Sequence, residues 1–448
     1  MDYQSFKNTV IAEAQALGIA EYELYYESGS DTTIGVFGHE INEFSSSEGG
    51  GVCFRCIVNG RMGYASTQAF SEAEAKAVVH RAADNASVLE AEEAVFLCEG
   101  GKVYRELNRE LPSLPETDAM IACALDTQEK LYAADPMVID GCQTQVFAEK
   151  SEIAICNSKG LDLHHENALT GLVVAAVVSD GKEMSDSYEI KIGKLAEIDT
   201  TALTAKAAAD AKRKLGGEPP KSGACPVIFS PDAMRSLLAV FSSIFSSENT
   251  QKGLSQLAGA EGQTIAASCV TLVDDPFHPE NPAPRNFDGE GCPTYTKNVI
   301  ENGVLKTLLY NMKTAAVAGK ETTGNASKAG YDSPVGIRPF TMYLANGEKT
   351  EEELLQMAGN GVYITDLGGL HAGANAISGD FSLQSSGFLV ENGNKTDYIK
   401  SFTVAGNFYS LLKNITALAN NCQLPMATGS TAFGAPSVLV DGLTVAGK

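Results

Sequence analysis

The sequence predicts an α+β protein of two domains, with mixed helices and largely antiparallel sheets and with a strand-rich second domain. Helical and strand-like patterns follow one another without the regular strand–helix–strand alternation of a parallel sheet. Asn-Gly pairs at positions 59–60 and 302–303 join runs of alternating apolar residues, which is typical of antiparallel hairpins. Residues 216–224 combine Gly, Pro-Pro and charge, so we expect a linker between domains 1–215 and 225–448.

The first domain begins with a predicted amphipathic helix from about Asp2 to Leu17, because Phe6, Val10 and Ala14 recur on one helical face. Ser71 with Glu74 has the spacing of a capping box and opens a second helix. The remaining predicted elements are strands over 21–27 and 32–37, the hairpin at 59–60, a helix over 117–133, an antiparallel meander over 137–193 and a helix over 200–215.

In the second domain, Thr350 and Glu353 form another capping box that predicts a helix start. Pro231 suits the first turn of a helix and predicts one that extends to about Ser247. The other predicted elements are a strand over 226–230, the hairpin at 302–303, a Gly-rich sheet over 361–383, a strand over 399–404, a helix over 407–419 and a strand over 437–445.

Charge and composition narrow the classes of function. The chain has 448 residues, and 33 basic against 56 acidic side chains give a net charge of −23. Such a balance argues against binding to nucleic acid, which requires clustered cations. No N-terminal signal pattern and no apolar run long enough to span a bilayer are found, and the ten cysteines follow no disulfide-scaffold spacing. We therefore expect a cytoplasmic protein with reduced cysteines and no membrane partner.

Two pairs of metal-ligand residues are interpreted as structural. Cys53 and Cys56 match a C-x-x-C pattern, but they lie in a strand-like run. Residues three apart in a strand face opposite sides and cannot share one ion. His164 and His165 are adjacent, so the same geometry separates their imidazoles.

The sequence also offers residues for acid–base or nucleophilic chemistry. Ser410 and Lys413 match S-x-x-K without its companion motifs, and they leave open an independent hydrolase. The carboxylate pairs are Asp274-Asp275 and Asp288 with Glu290; each lies beside Pro or Gly, where acidic residues commonly stabilise turns. The residues alone therefore show no complete active site.

A series of short motifs extends over some 400 residues. It includes GVCFRCIVNGRMGYAST, TLVDDP, FDGEG, NGVLKTLLYN, TGNAS, ISGDFSLQSSGFLVENG, FTVAGNF and LVDGLTVAG. In order and spacing these segments resemble the TldD/PmbA family, whose members are described as modulators of DNA gyrase or microcin-processing peptidases. The resemblance implies a metallopeptidase framework that divides into a metal-bearing subunit and a partner without the metal.

Metal-bearing members of that family have an H-E-x-x-x-H helix shortly before a Lys-Gly pair, and a later cysteine as a third zinc ligand. The corresponding positions here, counted back from Lys252-Gly253, are Leu238, Ala239 and Ser243, so both histidines and the glutamate are absent. Cys422 lies near the position of the cysteine ligand. The resemblance therefore implies a PmbA (TldE)-type subunit with no catalytic residues and no metal of its own.

By this analogy, the partner is a TldD-type paralogue that holds zinc, and the substrate is an unfolded or flexible peptide. The chain would complete a shared cavity and help to admit the peptide. The alternative is a stand-alone homodimer that binds peptides or regulates without catalysis. Whether this chain is itself an enzyme stays open, because its family is catalytic and its zinc ligands are missing.

Overall fold

One antiparallel sheet of six strands organises the first half of the chain. The computed structural model describes residues 1–90, 95–424 and 431–448. The six strands are β1 (Glu21–Phe37), β2 (Glu40–Val58), β3 (Arg61–Thr67), β4 (Gln143–Asn157), β5 (Asp162–Ser179) and β6 (Met184–Ile192). They are arranged in the order β3-β2-β1-β4-β5-β6, so β3 and β6 form the two edges of the sheet.

Four helices cover one face of this sheet in two pairs. They are α1 (Tyr3–Ala16), α2 (Glu72–Val88), α3 (Thr117–Ala134) and α4 (Thr200–Arg213), and a short 3₁₀ turn spans Leu195–Glu197. α1 and α2 pack on one end of the sheet, where Phe6 and Val78 are buried against Phe54. α3 and α4 pack on the other end, where Met120 is buried with Val174. The opposite face of the sheet is thereby left for the second half of the chain.

The second half combines many short strands with short helices. Its strands are β7 (Gly223–Phe229), β8 (Leu272–Asp274), β9 (Lys297–Glu301), β10 (Val304–Leu305), β11 (Ala326–Ser327), β12 (Gly336–Ile337), β13 (Thr341–Leu344), β14 (Gly361–Gly368), β15 (Asp380–Glu391), β16 (Asn394–Asn407), β17 (Ile415–Leu418), β18 (Ala432–Gly434) and β19 (Val438–Ala446). Its helices are α5 (Pro231–Phe241), α6 (Ser247–Gln251), α7 (Met312–Ala318), α8 (Glu351–Ala358), α9 (Leu370–Gly373) and α10 (Phe408–Lys413), with a 3₁₀ turn over Ser242–Phe245.

Five of these strands close into a small barrel. β7 pairs with β14, β14 with β15, β15 with β16, β16 with β19, and β19 with β7, and only the β7–β14 pair is parallel. β17 adds to β19 beside the closure. A second sheet has the order β10-β9-β8-β13-β18, and β11 pairs with β12. One large apolar core joins the barrel to the second sheet and α5.

The two halves are in direct contact through the free face of the first sheet. Tyr25 and Ile155 on that face are buried together with Phe287 and Cys292 from the second half. Hydrogen bonds cross the same boundary, such as that from the Tyr104 hydroxyl to the Gly291 carbonyl at 2.8 Å. The predicted α+β class with a strand-rich second half is confirmed. The division into domains 1–215 and 225–448 with a linker between them stays a prediction.

Both Asn-Gly hairpins have the expected backbone. Asn59 and Gly60 have φ of 52° and 74°, and Asn302 and Gly303 have φ of 48° and 82°. Positive φ at both central residues defines a type I′ turn, which matches the twist of antiparallel strands. Thr350 also caps α8 reciprocally with Glu353.

Several element boundaries differ from the sequence predictions. The predicted helix over 407–419 is wrong in its second half, because α10 ends at Lys413 and Ile415 enters β17 opposite Val440. Sheet pairing and burial outweigh the local helical pattern at these positions. The helix predicted from Pro231 to Ser247 is divided by the 3₁₀ turn, and the two strands predicted over 21–37 are one, β1. In the Gly-rich segment 361–383, α9 separates β14 from β15.

No helix in the described ranges combines the length and apolarity needed to cross a membrane.

Candidate functional site

The positions that the sequence resemblance assigns to the zinc motif lie in α5 and the turn after it, and the core of the second half fixes the position of α5. The Ser230 side chain caps it by accepting from the Ala233 N–H at 3.2 Å, and Pro231 occupies the first turn. Both residue types favour a helix start at these positions. Leu238 is 1% exposed, and the Phe241 ring stacks on Phe408 with centroids 4.5 Å apart. The first motif position therefore faces the apolar core.

The other two motif positions lie near the end of this helix. Ala239 packs partly buried against the core, whereas Ser243 is exposed in the 3₁₀ turn. Ser243 lines a cavity of about 260 Å³ together with Ser242, Ser246 and Arg338. Zinc requires imidazole, thiolate or carboxylate ligands, and neither Leu238 nor Ala239 has a donor atom. The residues at these three positions therefore do not fit a zinc site.

Cys422 lies in different surroundings. It is absent from the residues that line the cavity beside Ser243. Its backbone N–H donates to Asn346 Oδ1 at 2.7 Å, and burial, assisted by the nearby Glu280 carboxylate, raises the pKa of its thiol to about 11. A thiol with a raised pKa stays protonated at neutral pH. The structural role expected for Cys422 stays a prediction.

The two pairs that the sequence interpretation treated as structural are separated as expected. Cys56 belongs to the core under α1 and α2, whereas the side chain of Cys53 lies near Lys328 of the second half. His164 is exposed and lies 2.8 Å from Glu152. His165 lies partly buried on the opposite face, edge-on to Phe287, and this burial lowers its pKa to about 3.

Within the described ranges, one group of three side chains has ligand atoms close enough to share a metal ion. It consists of Glu152, His164 and Glu166 on neighbouring strands. Half of the His164 side chain is exposed, and its imidazole already contacts both carboxylates. This arrangement is an exposed cross-strand charge cluster.

The candidate nucleophile lies on the surface. Ser410 and Lys413 are both exposed in α10. The Ser410 N–H donates to the Asn407 side chain at the helix start, at 3.3 Å. Neither residue lines either of the cavities described in this subsection. Ser410 therefore lies on an exposed helical turn and not in either of these cavities.

The two predicted carboxylate pairs have different roles. Asp275 and Asp288 stabilise turns as expected: Asp275 accepts from the Phe277 N–H, and Asp288 from the N–H groups of Glu290 and Cys292. The turn interpretation of Asp274 is wrong, since Asp274 ends β8 with its carboxylate fully buried. That carboxylate accepts four hydrogen bonds from the groups Lys297 Nζ, Asn325 Nδ2, Phe340 N and Thr341 N.

A network of buried charges joins the two halves beside Asp288. Burial raises the pKa of both Asp288 and Glu290, and in Glu290 the neighbouring Asp288 carboxylate adds to the effect. Glu23 forms a buried ion pair with Arg55 at 2.7 Å, and the ammonium of Lys328 lies 4.5 Å above the Tyr25 ring. No motif predicted this network, because its members come from distant segments and meet only when the halves pack.

A cleft of about 980 Å³ lies between the halves. One wall is β6 with the last turn of α4, and the other is formed by the start of α5 and by the barrel strands β14 to β16. Aromatic side chains from the barrel line it, among them Tyr363, Phe388 and Tyr398. No sequence pattern predicted the cleft, because the alternating residues of an edge strand are the same whether that edge is open or covered.

Comparison with known proteins places this geometry in a family. The second half, residues 222–447, matches the PmbA/TldA metallopeptidase C-terminal domain. Residues 22–86 match domain 1 of the same metallopeptidases, and residues 110–215 match their central domain. A structure named as a modulator of a DNA gyrase, from Thermotoga maritima, is 30% identical and superposes with a TM-score of 0.90 over 99% of this chain and 100% of the other.

This chain belongs to the PmbA/TldD family.

Further proteins are similar to this chain over half of its length or more. An uncharacterised protein of Methanocaldococcus jannaschii is 26% identical over 89% of this chain and 91% of its own length. The metalloprotease PmbA of Escherichia coli O157:H7 is 25% identical over 60% of this chain and 57% of its own length. The structure of TldE from Thermococcus kodakarensis, at 24% identity, has the same fold, with a TM-score of 0.86 over 98% of this chain and 99% of the other.

Proposed function

We propose that this chain is the subunit without the metal in a PmbA/TldD-type metallopeptidase. It acts on unfolded or flexible peptides together with a TldD-type paralogue that carries H-E-x-x-x-H and holds zinc. The observation that supports this role is the occupancy of the motif positions, where Leu238 is buried in the apolar core and Ala239 packs against it. A histidine at position 238 would have to be buried among apolar side chains, which is costly without a partner.

The preserved framework around the missing ligands also supports a subunit role. The chain matches the family over 222–447 and keeps a cavity of about 260 Å³ beside Ser243. In this role the chain shapes the space that a peptide enters, and the chemistry takes place at the zinc of the partner. The similar structure from Thermococcus kodakarensis is that of a protein named TldE, which is consistent with this assignment.

The test measures zinc content and cleavage of reduced, unfolded casein by the purified chain, by its nearest H-E-x-x-x-H paralogue, and by the two mixed. We expect neither zinc nor cleavage in the chain alone, a stable heteromer in the mixture, and cleavage beyond that of the paralogue alone. Replacing the motif glutamate of the paralogue by glutamine should abolish cleavage in the mixture.

Matched variants of this chain address the rival functions. Ser410→Ala and Cys422→Ser should leave cleavage by the mixture unchanged, since neither side chain takes part in the chemistry. Stoichiometric zinc in the chain alone, lost in Cys422→Ser, would show that a different ligand set builds a site. A homodimer that binds casein but neither joins nor stimulates the paralogue would favour the alternative, a stand-alone peptide-binding protein.

A further inference from the structure

The cleft between the halves contains a free sheet edge. Residues 187–192 of β6 line the cleft, and β6 is the last strand of the first sheet. Over the described residues, β6 forms ladder pairs with β5 alone. Alternate N–H and C=O groups along its outer side are therefore directed toward the cleft rather than toward another strand.

The side chains around this edge form an apolar and aromatic wall. Tyr188, Ile190 and Ile192 pair with residues 175, 173 and 171 of β5, so they share the face of the sheet opposite to the helices. Tyr188 is 68% exposed. On the barrel side, Phe388 and Tyr398 are packed edge to face with centroids 5.5 Å apart. Aromatic surfaces on both sides suit the apolar side chains of a bound strand.

The charges in the cleft are balanced, in contrast to the chain as a whole. Its lining holds six acidic and six basic side chains, whereas the net charge of the chain is −23. Among these twelve charged side chains, six pair with one another within the lining in the ion pairs Lys214–Asp366, Arg235–Asp232 and Lys395–Glu351. A ligand recognised through its backbone and its apolar side chains fits this lining better than a strongly charged ligand.

The other long edges of the first sheet do not line the cleft. They are β3, the part of β2 before Val52 that β3 does not cover, and the part of β5 before Gly171 that β6 does not cover. In the second half, β7, β14, β15, β16 and β19 close on themselves. The six residues of β6 in the cleft extend over about 20 Å at the usual rise of a strand. This is enough to pair with a peptide segment of about six residues.

We propose that an extended peptide with alternating apolar side chains adds to the free edge of β6 inside the cleft. The β6 backbone supplies the hydrogen bonds, and Tyr188 with the aromatic wall of the barrel receives every second side chain. This inference rests on the proposed function, in that it assigns a place to the flexible peptide. With this site the chain is a subunit that binds peptides with low sequence specificity, because peptides of any sequence offer the same backbone hydrogen bonds.

The first experiment removes the backbone pairing and keeps the side chains. The probe is a fluorescein-labelled nonapeptide of alternating valine and threonine with a lysine at each end, and its binding to the full chain is followed by fluorescence anisotropy. Two versions are N-methylated, one at every valine and the other at every threonine. Since alternate residues direct their N–H groups to opposite edges, only one version can still pair with β6. We expect one version to bind at least tenfold more weakly than the unmodified probe, and the other to stay within about threefold, given about 0.5–1.5 kcal/mol per lost hydrogen bond.

The second experiment locates the peptide. The residue Tyr188 is replaced by the photo-crosslinker benzoylphenylalanine, and the matched control replaces Tyr64 on β3, which is 44% exposed at the opposite edge of the same sheet. We expect the probe to crosslink at position 188 and not at position 64. Equal binding by both methylated versions, or equal crosslinking at both positions, would overturn the proposal.

The two proposals fail separately. If the mixture with the paralogue still cleaves casein faster than the paralogue alone, but position 188 does not crosslink, the docking site is wrong and the subunit role stands. If position 188 crosslinks but the mixture shows no gain in cleavage, the peptide site stands and the subunit role is wrong.

Discussion

The buried carboxylate of Asp274 should be one of the most sensitive positions in the second half. It is fully buried, and its Oδ2 accepts from Lys297 Nζ at 3.1 Å and from Asn325 Nδ2 at 2.7 Å. Its Oδ1 accepts from the backbone N–H groups of Phe340 at 2.8 Å and Thr341 at 3.2 Å. This one side chain therefore ties together β8, β9, β13 and the loop before β11.

The substitution Asp274→Asn keeps the shape but replaces one oxygen by a donor. The one oxygen that remains can accept from the backbone N–H groups of Phe340 and Thr341. The side chains of Lys297 and Asn325 then face the amide N–H₂ of the new asparagine, which cannot accept their hydrogen bonds. Lys297 is itself 7% exposed, so its charge would stay buried without a counter-ion. Breaking a buried ion pair from one side costs about 3–5 kcal/mol. For a unit of 150–250 residues this lowers Tm by about 6–20 °C, at about 2–4 °C per kcal/mol.

The neighbouring Asp275 provides the matched control. It accepts from Phe277 N at 3.0 Å and from the Thr296 hydroxyl at 2.6 Å, both through Oδ1, which an asparagine retains. Asp275→Asn should cost less than about 1 kcal/mol. Urea unfolding and calorimetry of both variants measure the difference. Adding Lys297→Met to Asp274→Asn removes the unpaired charge and should restore part of the loss. Equal losses in the two single variants would refute the reasoning.

Three further predictions address other parts of the chain. In His165→Leu the dependence of stability on pH should be flatter between pH 6.5 and pH 3. The partly buried imidazole of the native chain has a pKa lowered to about 3, so the native state loses up to about 1.4 kcal/mol per pH unit as the pH falls through this window. Urea titrations at several pH values measure this slope, and an unchanged slope in the variant would contradict the prediction. Gly324→Ala should destabilise far more than Gly319→Ala in thermal melts, since both have φ near 65° but only at Gly324 would a Cβ lie 2.3 Å from the Pro293 carbonyl oxygen; similar losses would contradict this contact. Leu238→Ala should cost about 2–4 kcal/mol in urea unfolding, because the side chain is buried in the core, and a loss below about 1 kcal/mol would show that this position is not part of that core.

Local signals in the sequence were sufficient to predict much of the fold. Asn59-Gly60 and Asn302-Gly303 require positive φ at adjacent residues, and few structures other than a tight hairpin provide it. The cap of α8 is equally local, since Thr350 and Glu353 satisfy one another. Residues 415–418 could not be predicted in this way. These residues form β17 because they pair with β19, which lies about 20 residues further along the chain, beyond the reach of a local sequence pattern.

In the candidate site too, features set by local residue types could be predicted, whereas features set by contacts between distant segments could not. The expectation that positions 238 and 239 hold no zinc could be drawn from the residue types alone, since leucine and alanine have no donor atom; that these positions correspond to the zinc motif stays a prediction. The surroundings of Cys422, with Asn346 and Glu280 nearby, required the fold. Asp274 was misinterpreted because Pro276 nearby suggested a turn, whereas burial and four donors from distant segments decide its role. The cleft beside β6 arises from the packing of two halves and has no counterpart in any single segment.

The closed barrel also constrains the order in which the chain can fold during synthesis. β7 is made first, yet it lies between β14 and β19, and β19 follows about 210 residues later. At about 5–20 residues per second, the ribosome needs roughly 10–40 s to supply that missing neighbour. During this interval one edge of β7, with Val227 and Phe229 destined for the core, is unpaired. The first half, whose six strands are all complete by Ile192, can fold meanwhile and offer its free face as a surface on which the unfinished barrel assembles.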